Sequence, residues 1–389
     1  MRILHVTDCY LPRLGGIEMH INDLATRQAA AGHQVTVMTR TRPGPDGDTA
    51  GPVPVERLAC GPLALGTGHD ISDYVRGHHV DLVHAHLSVA SPLGWAALRG
   101  ARSYPAVATV HSVVPDAPEL LRTTARLTGI PLPSVTFTTV SEVAAAPWRR
   151  AFGERMPVRV LPNGIDPEDW AGPHITSPNN TFTVVSVGRF APRKRLEALL
   201  PILVALRAHL PEMRLRAILV GDGPQLPKLR RDVRLWGLDD VVELPGKLTR
   251  PQIKDILHRA DVYLAPATLE SFGIAALEAR CAGVPVIAMA QGGAGEFIDH
   301  GLEGFLVKDD HGLFETTLRL ARDPDLRRRI HEHNAATRPP VAWPEVLTLH
   351  DNAYTVAGAR TSTSHTSLAM VGAAVSTPKI AHHDRIPHR

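Results

Sequence analysis

The sequence predicts an α/β protein built as two doubly wound parallel sheets that face each other across a cleft. Three observations predict it. The 389 residues exceed one ordinary domain and suit two of about 150–200 residues each. Strand-length apolar runs alternate with helically periodic stretches, as parallel sheets with crossover helices require. That alternation breaks once, in the turn-rich PEDWAGPHITSPNN from Pro167 to Asn180, and then restarts.

Each element follows in order. Ile3–Thr7 is an apolar run of strand length. A loop ending in Gly15-Gly16 leads to a helix with Ile17, Ile21, Leu24 and Ala25 on one face, stopped by Gly32. Val35–Thr39 is the next strand, completing a βαβ unit. VDLVHAH, AVATVHS, SVTFTTVS and VRVLPNGID supply further strands, so residues 1–166 form a first domain and 167–180 a linker. Past it, strands FTVVSVG, RLRAILVGDGP, VVELPG, DVYLAP and VPVIAMA alternate with helices after Arg195, up to Trp236, over Pro251–Arg259 and up to Ala282. They make a second domain, 181–340. Val346, Leu349 and Ala353 have helical spacing and mark a last helix over 341–358. Residues 359–389 mix Ser, Thr, Ala and His without a sustained period and are expected to be a disordered tail.

Composition narrows the function. Hydrophobic content of 44% against 21% charged describes a globular chain with large cores. A net charge of +3 without a dense Lys/Arg stripe excludes nucleic acid as the expected partner, but suits phosphate-bearing small ligands or an anionic lipid surface. Cys9, Cys60 and Cys281 lie far apart with no C-x-x-C, which points to a reducing compartment and no structural zinc. Met1–Thr7 is too short for a signal peptide and no apolar run reaches membrane-spanning length, so a cytoplasmic location is expected. PELLRTTARLTGIPLP sets Arg122 and Arg126 near leucines. Two readings stay open for it: a solvated amphipathic helix, or peripheral contact with the inner face of the plasma membrane.

Open α/β sheets bind ligands at the carboxyl ends of their strands, and the chemically loaded residues fall there. Gly15-Gly16 could bring backbone N–H groups to an anion, or be a plain tight turn. Arg189 and Lys194, in VGRFAPRK, could balance a diphosphate, with Arg193 and Arg195 solvated. Ser271 reads as an N-cap, leaving the N–H groups of Phe272, Gly273 and Ile274 to face an anion. Glu270 and Glu278 stand up to about 12 Å apart on helical rise, which suits one acid on a sugar and one on a ribose. That span is long for a glycosidase pair. His111 ends a strand at the cleft, with His86 a weaker candidate, while His84 reads as a satisfied core histidine. His84 and His86 share a strand face but lack an evident third metal ligand. Ser141 caps a helix, Asn163-Gly164 supplies a left-handed turn, and Gly246 is expected to let a flat base lie on the backbone.

Taken together, GG at 15–16, TVH, TVSE, LPNGID, VGR…RK, GDGP and E-x7-E from Glu270 to Glu278 resemble the family 4 glycosyltransferases, retaining enzymes of GT-B fold with two Rossmann-like domains. The resemblance runs from Met1 to about Ala357. The actinobacterial branch with phosphatidylinositol mannosyltransferases and the mycothiol-pathway glycosyltransferase looks nearest. It implies a UDP- or GDP-sugar donor held by the second domain, a hydroxyl acceptor held by the first, and a last helix crossing back. Gly16 would contact the donor phosphate side, Arg189 and Lys194 the leaving diphosphate, Glu270 the sugar, Glu278 the ribose, and His111 the sugar near its anomeric carbon. No metal or other cofactor is expected. Arg195 departs from the glycine that many members carry. A hydrolysing UDP-sugar 2-epimerase and a non-catalytic nucleotide-sugar-binding protein are the alternatives.

Overall fold

The computed structural model describes residues 1–13, 15–44, 52–61, 64, 66–88, 91–114, 116–128, 134–175 and 180–365. Its strands fall into two parallel sheets. In the first, Arg2–Thr7 (β1), Gln34–Thr39 (β2), Val55–Arg57 (β3), Leu82–Leu87 (β4), Ala106–Val110 (β5), Val135–Thr139 (β6) and Arg159–Val160 (β7) take the order β3-β2-β1-β4-β5-β6-β7. In the second, Thr181–Val187 (β8), Arg214–Val220 (β9), Val242–Gly246 (β10), Val262–Ala265 (β11), Val286–Met289 (β12) and Gly304–Val307 (β13) take the order β10-β9-β8-β11-β12-β13. Central strands such as β4 and β5 are buried along their whole length, as strands covered on both faces are, and the polar residues they carry, His84, His86 and Thr109, are hydrogen-bonded.

Helices cover both faces. Gly16–Ala30 (α1), Thr67–Gly77 (α2), Pro92–Gly100 (α3), Pro118–Thr128 (α4), Glu142–Phe152 (α5) and Pro167–Trp170 (α6) come first. Leu199–His209 (α7), Leu226–Leu235 (α8), Arg250–Leu257 (α9), Ile274–Cys281 (α10), Asp310–Arg322 (α11), Pro324–Ala336 (α12) and Trp343–His365 (α13) follow. Ser141 caps α5, accepting from the Ala144 N–H at 3.1 Å, and Thr249 with Gln252 forms a capping box on α9. No described helix is long and apolar enough to cross a membrane.

Four differences from the sequence reading have physical causes. The turn-rich 167–180 stretch contains α6, whose Trp170 is buried among residues of both lobes. VRVLPNGID contributes only the two residues of β7. Gly164 does not take a left-handed turn; a Cβ there would lie 2.5 Å from the Trp343 ring, so glycine lets the start of α13 close on the chain. Finally, α13 runs on past residue 358 to His365, and residues 366–389 lie outside the described residues.

The last helix ties the lobes together. Trp343 and Val346 pack into a core that includes Leu24 of the first lobe and Phe272 and Leu277 of the second. Tyr354 and Ala357 pack with Ile3, Ile21 and Val107 on the first sheet. Beneath them, the sheet carries histidines: His5 of β1 stands opposite His84 of β4, and His86 is two residues on along the same face.

Candidate active site between the two sheets

The carboxyl ends of both sheets open on one cleft of about 1070 Å³. Gly15, Gly16, His86, His111, Arg189, Lys194, Glu270, Ser271, Phe272, Gly273, Ile274 and Glu278 all line it. Gly246 does not: its carbonyl accepts from the Gly221 N–H at 2.9 Å, and Lys247 is the residue that reaches the cleft.

The second-lobe wall is built around the start of α10. Ser271 is not the cap; Gly273 is, at φ +96°, a left-handed conformation that costs a side-chain-bearing residue about 1–2 kcal/mol. This turn leaves the N–H groups of Phe272, Gly273 and Ile274 without backbone acceptors among the described residues, while the Phe272 ring is buried 5.4 Å from that of Phe297. Such a helix start favours an anion. Gly293 anchors the turn from behind. Its N–H donates to the Glu270 carbonyl at 2.9 Å, and a Cβ on it would lie 2.3 Å from the Ser271 carbonyl oxygen.

Lys194 and Glu270, read from sequence as phosphate and sugar ligands, form an ion pair with each other. Their side chains are 25% and 21% exposed, and both line the cleft. Arg189 and Arg193 are exposed at the same wall. Arg195 is not solvated as the sequence suggests. It adopts φ +53°, the backbone region glycine favours, and its guanidinium donates to the Pro266 carbonyl at 2.9 Å and to Asp310 at 2.7 Å. Those two acceptors hold an arginine where the resemblance leads one to expect glycine.

Two residues without a sequence signal close the far end. Arg250, the first residue of α9, donates to Asp23 of α1 at 2.7 Å, bridging the lobes. Both lie close enough to Glu278 to act on it. Burial pushes the Glu278 carboxyl up to about 8, Arg250 opposes that rise, and Asp23 adds to it.

The first-lobe wall is different. Gly15 leaves room for Glu18, whose carboxylate would lie 2.4 Å from a Cβ at that position and which pairs with Arg13 at 2.9 Å. The start of α1 is thus already supplied with its own anion, and a Cβ on Gly16 would lie 3.4 Å from Ile274 Cδ1 across the seam. His111 is buried at the cleft edge, its Nε2 2.9 Å from Nδ1 of His86, and burial pushes its imidazole down to about 3. His20, also on this wall, stacks on Trp343 at 5.5 Å. Asn163 lines the cleft, and its Oδ1 is buried without a partner among the described residues. The third histidine missing from the sequence reading is His5: its ring nitrogen and those of His84 and His86 come within 4.8 Å of one another. Each of the three is hydrogen-bonded, and His84 is the satisfied core histidine expected.

Two doubly wound lobes closing on one cleft, with a terminal helix returning to the first, define the two-lobed GT-B class of glycosyltransferases. Comparison with known proteins agrees. The family described as "Glycosyl transferases group 1" matches residues 173–337, and "Glycosyltransferase Family 4" matches residues 14–169. The chain belongs to glycosyltransferase family 4. A D-inositol 3-phosphate glycosyltransferase of Streptomyces scabiei is 27% identical, over 88% of this chain and 86% of its own. A GDP-mannose-dependent alpha-(1-6)-phosphatidylinositol monomannoside mannosyltransferase of Mycobacterium tuberculosis is 29% identical, over 79% of this chain and 85% of its own. Anabaena HepE, solved with UDP and glucose, shares the fold at TM-score 0.69 and 20% identity, over 95% of this chain and 100% of its own.

Proposed function

We propose that this glycosyltransferase moves a hexosyl group from a nucleotide-diphosphate sugar to a hydroxyl acceptor with retention of anomeric configuration. The observation that carries the reading is the Lys194–Glu270 pair beside the open N–H groups of Phe272, Gly273 and Ile274, which line one cleft with His111. The relatives named for inositol-containing acceptors and the neighbour solved with UDP and glucose support the substrate class.

In this reading the second lobe holds the donor and the first the acceptor. Lys194, Arg189 and the start of α10 take the diphosphate, so Lys194 exchanges the Glu270 carboxylate for phosphate oxygens. Glu270, released, accepts from the sugar hydroxyls. Glu278 contacts the ribose; held near neutrality in the ligand-free cleft, it can both donate to and accept from a diol. Cleavage of the anomeric bond sheds a dianion beside an oxocarbenium-like centre, and fixed cations and N–H donors stabilise that charge as it develops. The acceptor oxygen attacks from the face the diphosphate leaves, and its proton passes to a phosphate oxygen. No metal is required by this scheme.

Thermal shift with a panel of UDP-, GDP- and ADP-sugars, followed by NMR of the transferred sugar, tests the reading. A nucleotide sugar that binds the folded chain raises Tm in proportion to its affinity, and the product keeps the donor's anomeric configuration. An inverted product removes the retaining mechanism; release of free epimerised sugar without acceptor favours a hydrolysing epimerase instead.

A further inference from the structure

His111 is the visible end of a buried hydrogen-bond chain that runs through the first lobe to the last helix. His111 Nε2 lies 2.9 Å from His86 Nδ1, His86 Nε2 lies 2.9 Å from His5 Nδ1, and His5 Nε2 lies 2.7 Å from Gln28 Oε1. The other end of the Gln28 amide donates to the Tyr354 hydroxyl at 2.8 Å. That hydroxyl is 2.9 Å from His84 Nδ1, and His84 Nε2 is 2.7 Å from the Thr109 hydroxyl. Thr109 meets Thr138 at 2.7 Å, and Thr138 donates to the Ala108 carbonyl at 3.1 Å.

A neutral imidazole has one donor and one acceptor nitrogen, so one fixed link decides all the others. The Gln28 oxygen can only accept, so His5 carries its proton on Nε2 and offers Nδ1 as a lone pair. His86 must then donate from Nε2, and His111 from Nε2 as well. On the other branch Tyr354, already accepting from Gln28, donates to His84 Nδ1, and His84 donates from Nε2 to Thr109. Every donor finds an acceptor, and no ring needs a charge. Turning the Gln28 amide over would reverse the links as far as Thr109 and move all four ring protons to Nδ1.

We infer that Gln28, with Tyr354 of the returning helix, is a positioning residue that fixes the tautomer of His111, so that His111 presents a bare Nδ1 lone pair to a hydroxyl of the donor sugar. This deepens, and rests on, the placing of His111 at the sugar. His111 Nδ1 has no partner among the described residues, while its ring lines the cleft. Burial keeps the chain neutral: it pushes His5 down to about 4 and His84 and His86 well below their ordinary range. A neutral acceptor suits this position. A cation there would sit beside the positive charge that develops on the sugar.

Long-range proton–nitrogen NMR of the full chain, labelled with nitrogen-15 in its histidine rings, tests the tautomer directly near neutral pH. The expected spectrum places the proton of His5, His84, His86 and His111 on Nε2 in each ring, with none cationic. A proton on His111 Nδ1, unlike tautomers within the set, a cationic ring, or zinc bound at His5, His84 and His86 would each overturn the inference. Gln28→Met, which removes the deciding oxygen, is expected to scramble the His111 tautomer and lower kcat about tenfold, the worth of one hydrogen bond, with donor KM unchanged. Gln28→Glu loses the donor to Tyr354 but keeps an acceptor toward His5, and is expected to restore the His111 tautomer and most of kcat. An unaltered His111 tautomer in Gln28→Met overturns the role of Gln28. If the spectra behave as stated but kcat ignores both variants, the placing of His111 at the sugar fails while the chain stands.

Discussion

The two walls of the cleft acquire their polarity by different means. The second-lobe wall carries the exposed Arg189 and Arg193, the cations Lys194, Lys247 and Arg250 paired with Glu270, Asp222 and Asp23, and the open N–H groups at the start of α10. On the first-lobe wall, Arg13 is answered by Glu18 at 2.9 Å, Arg27 is paired with Asp166, and the histidines are buried and neutral. The lysines of the sequence, Lys194, Lys228, Lys247, Lys254, Lys308 and Lys379, all follow the first lobe, whose cations are arginines. Permanent charge belongs where a dianion must be received. In the proposed reaction the opposite wall handles hydroxyls, which hydrogen bonds alone can orient.

That contrast can be broken most directly at Lys194. Lys194→Ala is expected to lower kcat/KM for the donor by about 10²–10³, the loss seen when one group aimed at developing charge is removed. Steady-state kinetics against donor check it, and an unchanged kcat/KM would show that the second wall does not carry the diphosphate. At the seam between the walls, Gly164→Ala is expected to cost about 1–3 kcal/mol, because the new methyl overlaps the Trp343 ring. Chemical denaturation measures this, and a neutral result would mean that α13 is not packed as described.

A third test sharpens the comparison through pH. The folded-state pKa of Glu278 is raised to about 8 from an ordinary 4.5. The stability it contributes is therefore full below about pH 4.5 and is lost as pH rises through about 8. In ligand-free protein, Glu278→Gln should match the parent's Tm near about pH 5 and exceed it near about pH 9, where the parent must hold a charge. Parallel melting curves at both pH values would remove Glu278 from the desolvated position. The smallest effect is expected on the first wall. Arg13→Ala, which removes a cation already answered by Glu18, should change donor KM by less than about threefold, as for an exposed ion pair; a loss comparable to that of Lys194→Ala would erase the distinction between the walls.

The architecture was legible because its signals are local. Periodicity in β1, α1 and β2 repeats after residue 180, and strand ends in a doubly wound sheet point to one cleft whatever the loops do. His111, Lys194, Glu270 and Glu278 could be placed there from strand ends and helix starts alone. A serine before an apolar run is the common cap, as Ser271 suggests, whereas here the left-handed Gly273 starts α10 two residues later. A glycine ending a strand, as Gly246 does, says nothing about which side of the turn meets the ligand, and its neighbour Lys247 is the one that lines the cleft. Arg195 failed because Asp310, its partner, is 115 residues away.

By itself, then, the amino-acid order determined two sheets, their cleft, and which chemically able residues stand at its rim, since hydrophobic period and turn chemistry act within a few residues. Only the tertiary structure decided which of those residues meet. Asp23 with Arg250, Gly164 beneath Trp343, and His5, Gln28 and Tyr354 joined to His111 are all separated by long stretches of chain. Such partners leave no periodic trace, because a hydrogen bond or a ring contact depends on distance in space, which the packing of α1 and α13 on the first sheet sets.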